Sequence, residues 1–283
     1  MPLSARNQKT LDQYYEHTNS GDFAGAIKYF ADDVVYRLPS ASAAVPYAGE
    51  WRGKDGVSKV YGAFGAAYSL VDMTEICTVA TENEVVSIND EIFVAKKTEQ
   101  SWRAPVAHQF LFRDGLIVRL DVHTDLGAAH EAMSGRTSLP SALLPVDTLA
   151  SAKTVATGVA EKVVSAYFTE SRSPSRLLAP SATAFVTGDP RRLRFAGTWS
   201  GRDEFLRMQT QWSKSLDVVI KPIRTVAENG FVFAVVHLTG TFIPTKTPVD
   251  QDAAVLFQIT EDGLIGRMAW YLNTYPLVAL PAR

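Results

Sequence analysis

The residues best suited to chemistry in this chain of 283 residues gather around one hairpin, FLFRDGLIVRLDVHTD at Phe110–Asp125, with His108 just ahead of it. Asp114-Gly115, between two apolar alternating runs, is the signal of a two-residue hairpin turn. Pairing then runs outward from Arg113–Leu116, which sets His108 across from Asp121 and Phe110 across from Arg119. Period-two alternation gives His108, Phe110, Phe112, Ile117, Arg119, Asp121, His123 and Asp125 one common face. An imidazole titrates near neutral pH, and a carboxylate beside it fixes its tautomer and stabilises its charged form. Proton abstraction from a carbon acid needs that combination. The expectation is an acid–base His108 oriented by Asp121, with Phe110, Arg119 and His123 beside them to bind a substrate. The bland alternatives are a histidine that binds without catalysing, a structural Arg119 ion pair, and solvated His123 and Asp125 at the sheet's end.

The elements that must position this hairpin occur twice. YAGEWRGKDGV at Tyr47–Val57 is echoed by FAGTWSGRDEF at Phe195–Phe205, and DGLIVR at Asp114–Arg119 by DGLIGR at Asp262–Arg267, both 148 positions on. Solenoid repeats run roughly 20–50 residues, so a spacing this long means two copies of a whole domain. In the first copy, helical patterns cover Thr10–Asn19, Phe23–Phe30 and Lys54–Tyr68. Strand patterns cover Val34–Leu38, Met73–Ala80, Val85–Lys96, Val106–Arg113 and Leu116–Thr124. The second copy repeats the plan, with helices at Ala160–Tyr167 and Asp203–Trp212. Helices first and a long meander of strands afterwards give an α+β class. The expected domains are 1–134 and 158–283, joined by a linker-like 135–157 in which Leu143, Leu144 and Val146 read as packed; Pro39–Gly49 reads as a loop.

At the same 148-residue offset His108 becomes Leu256, Asp121 becomes Ala269, His123 becomes Tyr271 and Asp125 becomes Asn273, whereas Arg119 is kept as Arg267. The first copy is therefore expected to carry the site and the second to be degenerate. Trp51 and Trp199 occupy equivalent turns and read as scaffold. Tyr36, Trp102 and Trp270 are candidates for pocket walls, and His237 reads as structural.

Composition narrows the function classes. A net charge of −2 with both signs interspersed carries no electrostatic footprint for nucleic acid or an anionic membrane. The single Cys77 excludes an internal disulfide and reads as a small buried hydrophobe. A polar N-terminus without an apolar signal core, and the lack of an 18-residue apolar run, point to a soluble cytoplasmic protein. His17, His108, His123 and His130 form no recognisable metal spacing, and neither a phosphate-binding glycine loop nor a G-x-S-x-G elbow is present. No metal and no cofactor are expected.

Asn19–Pro39 (NSGDFAGAIKYFADDVVYRLP), the YAGEWRGKDGV turn and the closing hairpin together resemble the nuclear-transport-factor-two-like superfamily. They are most similar to its SnoaL-like polyketide cyclases, with ketosteroid isomerases as cousins. The resemblance covers nearly all of Leu11–Met133 and is thinner over Ala160–Pro276. It implies two cone-shaped α+β barrels, each a curved antiparallel sheet wrapped on about three helices around an apolar pocket. It implies cofactor-free acid–base chemistry with His108 as the acid–base residue, and its partner aspartate near Asp121 or Val122 depending on a bulge. Tyr14 matches the oxyanion-hole tyrosine of the isomerases, while Leu38 stands where they carry their general base, which argues against their mechanism. Paired sheets in the family imply an intramolecular pseudo-dimer, with a homodimer as the other arrangement.

The leading expectation is a cofactor-independent cyclase or isomerase acting on a hydrophobic, polyketide- or terpenoid-like carbonyl compound. An epoxide hydrolase of the polyether type is the second reading; its acid matches Leu38, or in the second copy Val186 with Asp189 a few residues on. A non-catalytic binding or assembly module is the third.

Overall fold

The computed structural model describes residues 3–38, 45–135, 155–169 and 174–278. Much of the expected linker, with Leu143, Leu144 and Val146, and most of the Pro39–Gly49 loop lie outside the described residues. The chain divides into two compact units, Met1–Pro140 and Ser141–Arg283.

The first unit opens with α1 (Ala5–Asn19), which starts earlier than its apolar pattern because Ser4 caps it, accepting from the Asn7 amide at 3.3 Å. Its buried residues Asn7, Leu11 and Tyr14 recur at helical spacing and form one face. The next expected helix is short: α2 (Phe23–Ala26) tightens into a 3-10 turn at Ile27–Tyr29 and yields to β1 (Phe30–Leu38). A brief β2 (Gly49–Arg52), unforeseen because its tryptophan turn masks it, precedes α3 (Gly53–Ala67). Four strands follow, β3 (Tyr68–Thr81), β4 (Glu84–Ala95), β5 (Ser101–Arg113) and β6 (Leu116–Thr124), and then α4 (Gly127–Met133). The second unit repeats this with α5 (Thr157–Thr169), β7 (Leu178–Val186), β8 (Gly197–Ser200), α6 (Arg202–Ser215), β9 (Leu216–Glu228), β10 (Phe231–Phe242), β11 (Thr247–Ile259), β12 (Ile265–Tyr271) and α7 (Tyr275–Val278).

Each unit has a six-stranded sheet in the order β2-β1-β6-β5-β4-β3 or its counterpart β8-β7-β12-β11-β10-β9. The sheets are antiparallel except where β1 meets β6, and β7 meets β12, in parallel. That exception departs from the all-antiparallel expectation and follows from the chain leaving β1 and returning beside it only after the meander. Helices cover one face of each sheet: the rings of Tyr14 and Tyr15 meet Phe110, as Tyr167 and Phe168 meet Phe257.

The Asp114-Gly115 turn forms with positive φ at both residues, 54° and 75°, as a tight hairpin requires. The register it launches lasts only two pairs, Arg113–Leu116 and Phe112–Ile117. A bulge then inserts Val118, and beyond it Leu111 opposes Arg119, Gln109 opposes Asp121 and His108 opposes Val122. This overturns the His108–Asp121 pairing expected from the turn alone. One extra residue sends Asp121, Arg119 and His123 to the face away from the helices while His108 stays on the helix side.

The second hairpin differs again. Its turn is one residue longer, with Thr260 and Leu264 joined by a backbone hydrogen bond, so Phe110 corresponds to Phe257 and His108 to Val255, not Leu256. The 148-residue offset holds on β6 and becomes 147 on β4 and β5.

Gly240 marks the tightest backbone approach in the second unit. It has φ of 153°, and a Cβ there would collide with the Asp217 carbonyl oxygen, where the first unit accommodates Phe93 at the matching position. Gly240→Ala is expected to destabilise the second unit by about 1–3 kcal/mol, the range for residues forced into sparsely allowed backbone regions. Denaturant unfolding of the variant against wild type checks it.

Candidate active site

β4 and β5 bring four polar side chains to the helix-covered face of the first sheet. Ser87 opposes His108, and Asn89 and Glu91 follow at two-residue steps on β4. Asn89 Nδ2 lies 3.2 Å from His108 Nδ1, Ser87 Oγ lies 3.2 Å from Asn89 Oδ1, and Glu91 Oε1 lies 3.7 Å from the same His108 nitrogen. His108 and Glu91 both line a cavity of about 60 Å³. Tyr36, Phe93, Trp102 and Val122 are among its walls. His108 keeps 18 % of its side chain exposed and Glu91 only 7 %.

Electrostatics keeps both groups neutral. Burial, reinforced by the Asp90 charge, pushes the Glu91 carboxyl up to about 8. Burial, reinforced by His123, pushes the His108 imidazole down to about 4. Between those limits the pair holds a carboxylic acid, which can give a proton, beside an unprotonated imidazole, which can take one. Glu91 escapes sequence reasoning because Asn89, Asp90 and Glu91 are consecutive polar residues on β4, and no turn signal fixes the register that sets Glu91 opposite Ala104, thirteen residues on.

The other expected site residues divide by face. Tyr36 and Trp102 line the cavity with His108, whereas Phe110 is not among its walls and packs its ring 6.1 Å from the imidazole. Asp121, Arg119 and His123 lie on the opposite face, where Arg119 Nε donates to Asp121 Oδ2 at 2.6 Å. His123 and Asp125 are both buried, not solvated; Asp125 lines the cavity and accepts from the Gly127 amide at the start of α4. The Tyr14 hydroxyl is buried in a 2.8 Å hydrogen bond with the Tyr61 hydroxyl. Tyr15, its neighbour, also packs its ring on Phe110, and its buried hydroxyl lies beside Ser87, Asn89 and Glu91.

The second copy replaces this constellation wholesale. By strand register, Ser87, Asn89, Glu91 and His108 correspond to Ala234, Val236, Leu238 and Val255, all in the apolar core of the second unit. Tyr15 becomes Phe168, whereas the Tyr14–Tyr61 bond survives as Gln209 Nε2 donating to Tyr167 at 3.1 Å. Val122 becomes Trp270, whose ring packs 4.8 Å from Trp212. The tryptophan turns are alike in both: Trp51 and Trp199 each donate to the carbonyl four residues back. What is common to the two copies holds the fold; the polar set that differs is dispensable for folding.

Asp189, the candidate acid for epoxide opening, closes its own loop by accepting from the Arg191 amide and side chain, and Leu38 brings no acid to the first copy. His237 has acidic neighbours unforeseen from sequence, Asp252 at 2.8 Å and Asp250 at 3.2 Å. Among the described residues no group of His, Cys, Asp and Glu could hold a metal ion, and no helix is long and apolar enough to cross a membrane.

The model of the SnoaL-like domain matches residues 11–120 and 175–268. Comparison with curated proteins finds no significant match. Solved structures that align include an NTF2-like protein of unknown function from Burkholderia pseudomallei (18 % identity, TM-score 0.42, covering 46 % of this chain and 98 % of the other). A candidate isomerase from Rhodopseudomonas palustris aligns at 14 % identity and TM-score 0.42, covering 47 % and 98 %. A candidate polyketide cyclase from Xanthomonas campestris aligns at 20 % and 0.38, covering 45 % and 96 %.

A buried acid that serves no fold should weaken it. In the unfolded chain the Glu91 carboxyl ionises freely above its ordinary pKa, while in the folded chain it stays protonated up to about 8, so its penalty grows as pH rises between those values. Glu91→Leu, copying Leu238, is therefore expected to stabilise the first unit at pH 7 by about 1–4 kcal/mol, as when buried ionic groups give way to packed apolar ones. The gain should shrink toward pH 4, which thermal unfolding across that pH range measures.

Proposed function

Because the chain belongs to the SnoaL-like domain family, matched in both halves, we propose that it is a cofactor-independent isomerase or cyclase. Its working site is the cavity of the first unit, its proton-transfer pair is His108 and Glu91, and its substrate is a hydrophobic carbonyl compound. The observation that carries this reading is the substitution of the whole polar set by alanine, valine and leucine in the second copy, which keeps the fold without it. Polar groups that cost stability and are not needed for folding are the signature of a site.

The chemistry follows from the neutral pair. His108 Nδ1 faces Asn89 and Glu91, which leaves Nε2 for a ligand. Nε2 accepts the proton alpha to the substrate carbonyl, the C–H electron pair becomes the enol double bond, and the carbonyl oxygen takes the proton of Glu91. The imidazolium and carboxylate so formed lie within 3.7 Å of each other, so each offsets the burial penalty of its neighbour. Return of a proton at another carbon completes an isomerisation; attack of the enol carbon on a second carbonyl completes a cyclisation. Tyr36, Phe93 and Trp102 hold the apolar body of the substrate and exclude water. The second unit acts as a non-catalytic companion, and its role is architectural.

Deletion of the gene, followed by complementation with wild type or His108→Ala, tests the reading through the metabolite that accumulates. Wild type clears it and His108→Ala does not; equal clearance by both would leave a binding module. With that substrate in hand, kcat/KM should form a bell. It falls below pH about 4 as His108 gains a proton and above about 8 as Glu91 loses one. His108→Ala should lower it by roughly 10²–10⁴-fold.

A further inference from the structure

The cavity histidine is wired to the protein surface. Glu75, exposed on β3, opposes Asn89 across the sheet, and its Oε2 accepts from Ser87 Oγ at 3.3 Å. Ser87 is fully buried and Asn89 nearly so, and Asn89 reaches His108 Nδ1. The chain Glu75–Ser87–Asn89–His108 therefore runs from solvent to the cavity. All four members are lost together in the second copy, as Pro222, Ala234, Val236 and Val255.

Ser87 has one proton and, beside the Tyr15 hydroxyl, two acceptors at hydrogen-bond distance, Glu75 Oε2 at 3.3 Å and Asn89 Oδ1 at 3.2 Å, and it can serve only one of them. The two choices have opposite consequences at the far end. If Ser87 donates to Asn89 Oδ1, Asn89 Nδ2 donates to His108 Nδ1. The ring proton then sits on Nε2, and the cavity meets a donor. If Ser87 donates to Glu75, the Asn89 amide turns over with no change of shape. Its nitrogen then donates to Ser87 Oγ, its oxygen accepts from Nδ1–H of His108, and Nε2 offers the cavity a lone pair. An ionised carboxylate has acceptors alone, so Glu75 draws the Ser87 proton outward and favours the second arrangement.

We infer that Glu75 is a positioning residue that, through Ser87 and Asn89, sets the tautomer of His108 so that Nε2 faces the cavity as a base. The inference deepens the acid–base reading and rests on it for its consequence, though not for its test. Glutamine at position 75 can donate as well as accept. It would feed a proton to Ser87 Oγ, turn the Ser87 proton inward and move the ring proton of His108 to Nε2.

The full chain with 15N-labelled histidine, free of substrate and at neutral pH, reports the tautomer through long-range proton–nitrogen correlation. Wild type should show His108 with a pyrrole-like Nδ1 and a pyridine-like Nε2, and Glu75→Gln should exchange the two shifts. In a Ser87→Ala background, which alanine at position 234 shows the fold to tolerate, the same Glu75 substitution should change nothing. An unaltered tautomer in Glu75→Gln overturns the inference, and so does a change that persists without Ser87. If the tautomer exchanges as expected but turnover of the accumulated metabolite is untouched, the wiring stands and the catalytic reading falls.

Discussion

A residue in a β-strand belongs to one face or the other, and a single inserted residue decides which. In the first unit that residue is Val118. The bulge it makes leaves His108 among the aromatic walls beneath the helices and turns Asp121, Arg119 and His123 outward. Everything about the candidate site descends from this choice. Once His108 faces inward, its neighbours are fixed by β4: serine opposite, asparagine and glutamate at two-residue intervals. A carboxyl in that apolar setting has little option but to keep its proton, and an imidazole there little option but to lack one.

The two copies amount to an experiment in which the fold is held and one polar row is removed. The hydrogen bond of the first helix to the third, the capped tryptophan turn and the strand order persist. The polar row becomes an apolar one, and Trp270 takes the room that Val122 leaves open. Tyr14, whose counterpart is also a hydrogen-bonded tyrosine, thereby falls on the side of architecture, while the hydroxyl of Tyr15 falls with the row that was lost.

Much of this was legible in the sequence. The duplication, the α+β order and the Asp-Gly turn all follow from spacing and turn chemistry, and the same hairpin pointed to His108, which lines the cavity. Two features were not. The bulge at Val118 has no local sequence signature, and reading straight through it set His108 opposite Asp121, where the strand register sets Val122. Glu91 was hidden because register between β4 and β5 is set by packing on both faces, which a period-two pattern cannot report when nearly every position of β4 is buried. His237 shows the same blindness, since its acidic neighbours come from the strand beside it.

The extra residue in the second hairpin also dictates how the halves can be recombined. Because the offset is 148 after the turn and 147 before it, a chimera that grafts β5 from one half by the spacing read on β6 would present every transplanted side chain to the wrong side of the sheet. Charged groups would enter the core and apolar ones would meet the exterior, so such a hybrid would fail as a whole. A graft that carries β5, its own turn and β6 as one piece keeps the inside and outside of the strand in order. The natural unit of exchange between the halves is therefore the complete hairpin, and drift that lengthens or shortens the turn of one copy isolates it from recombination with the other.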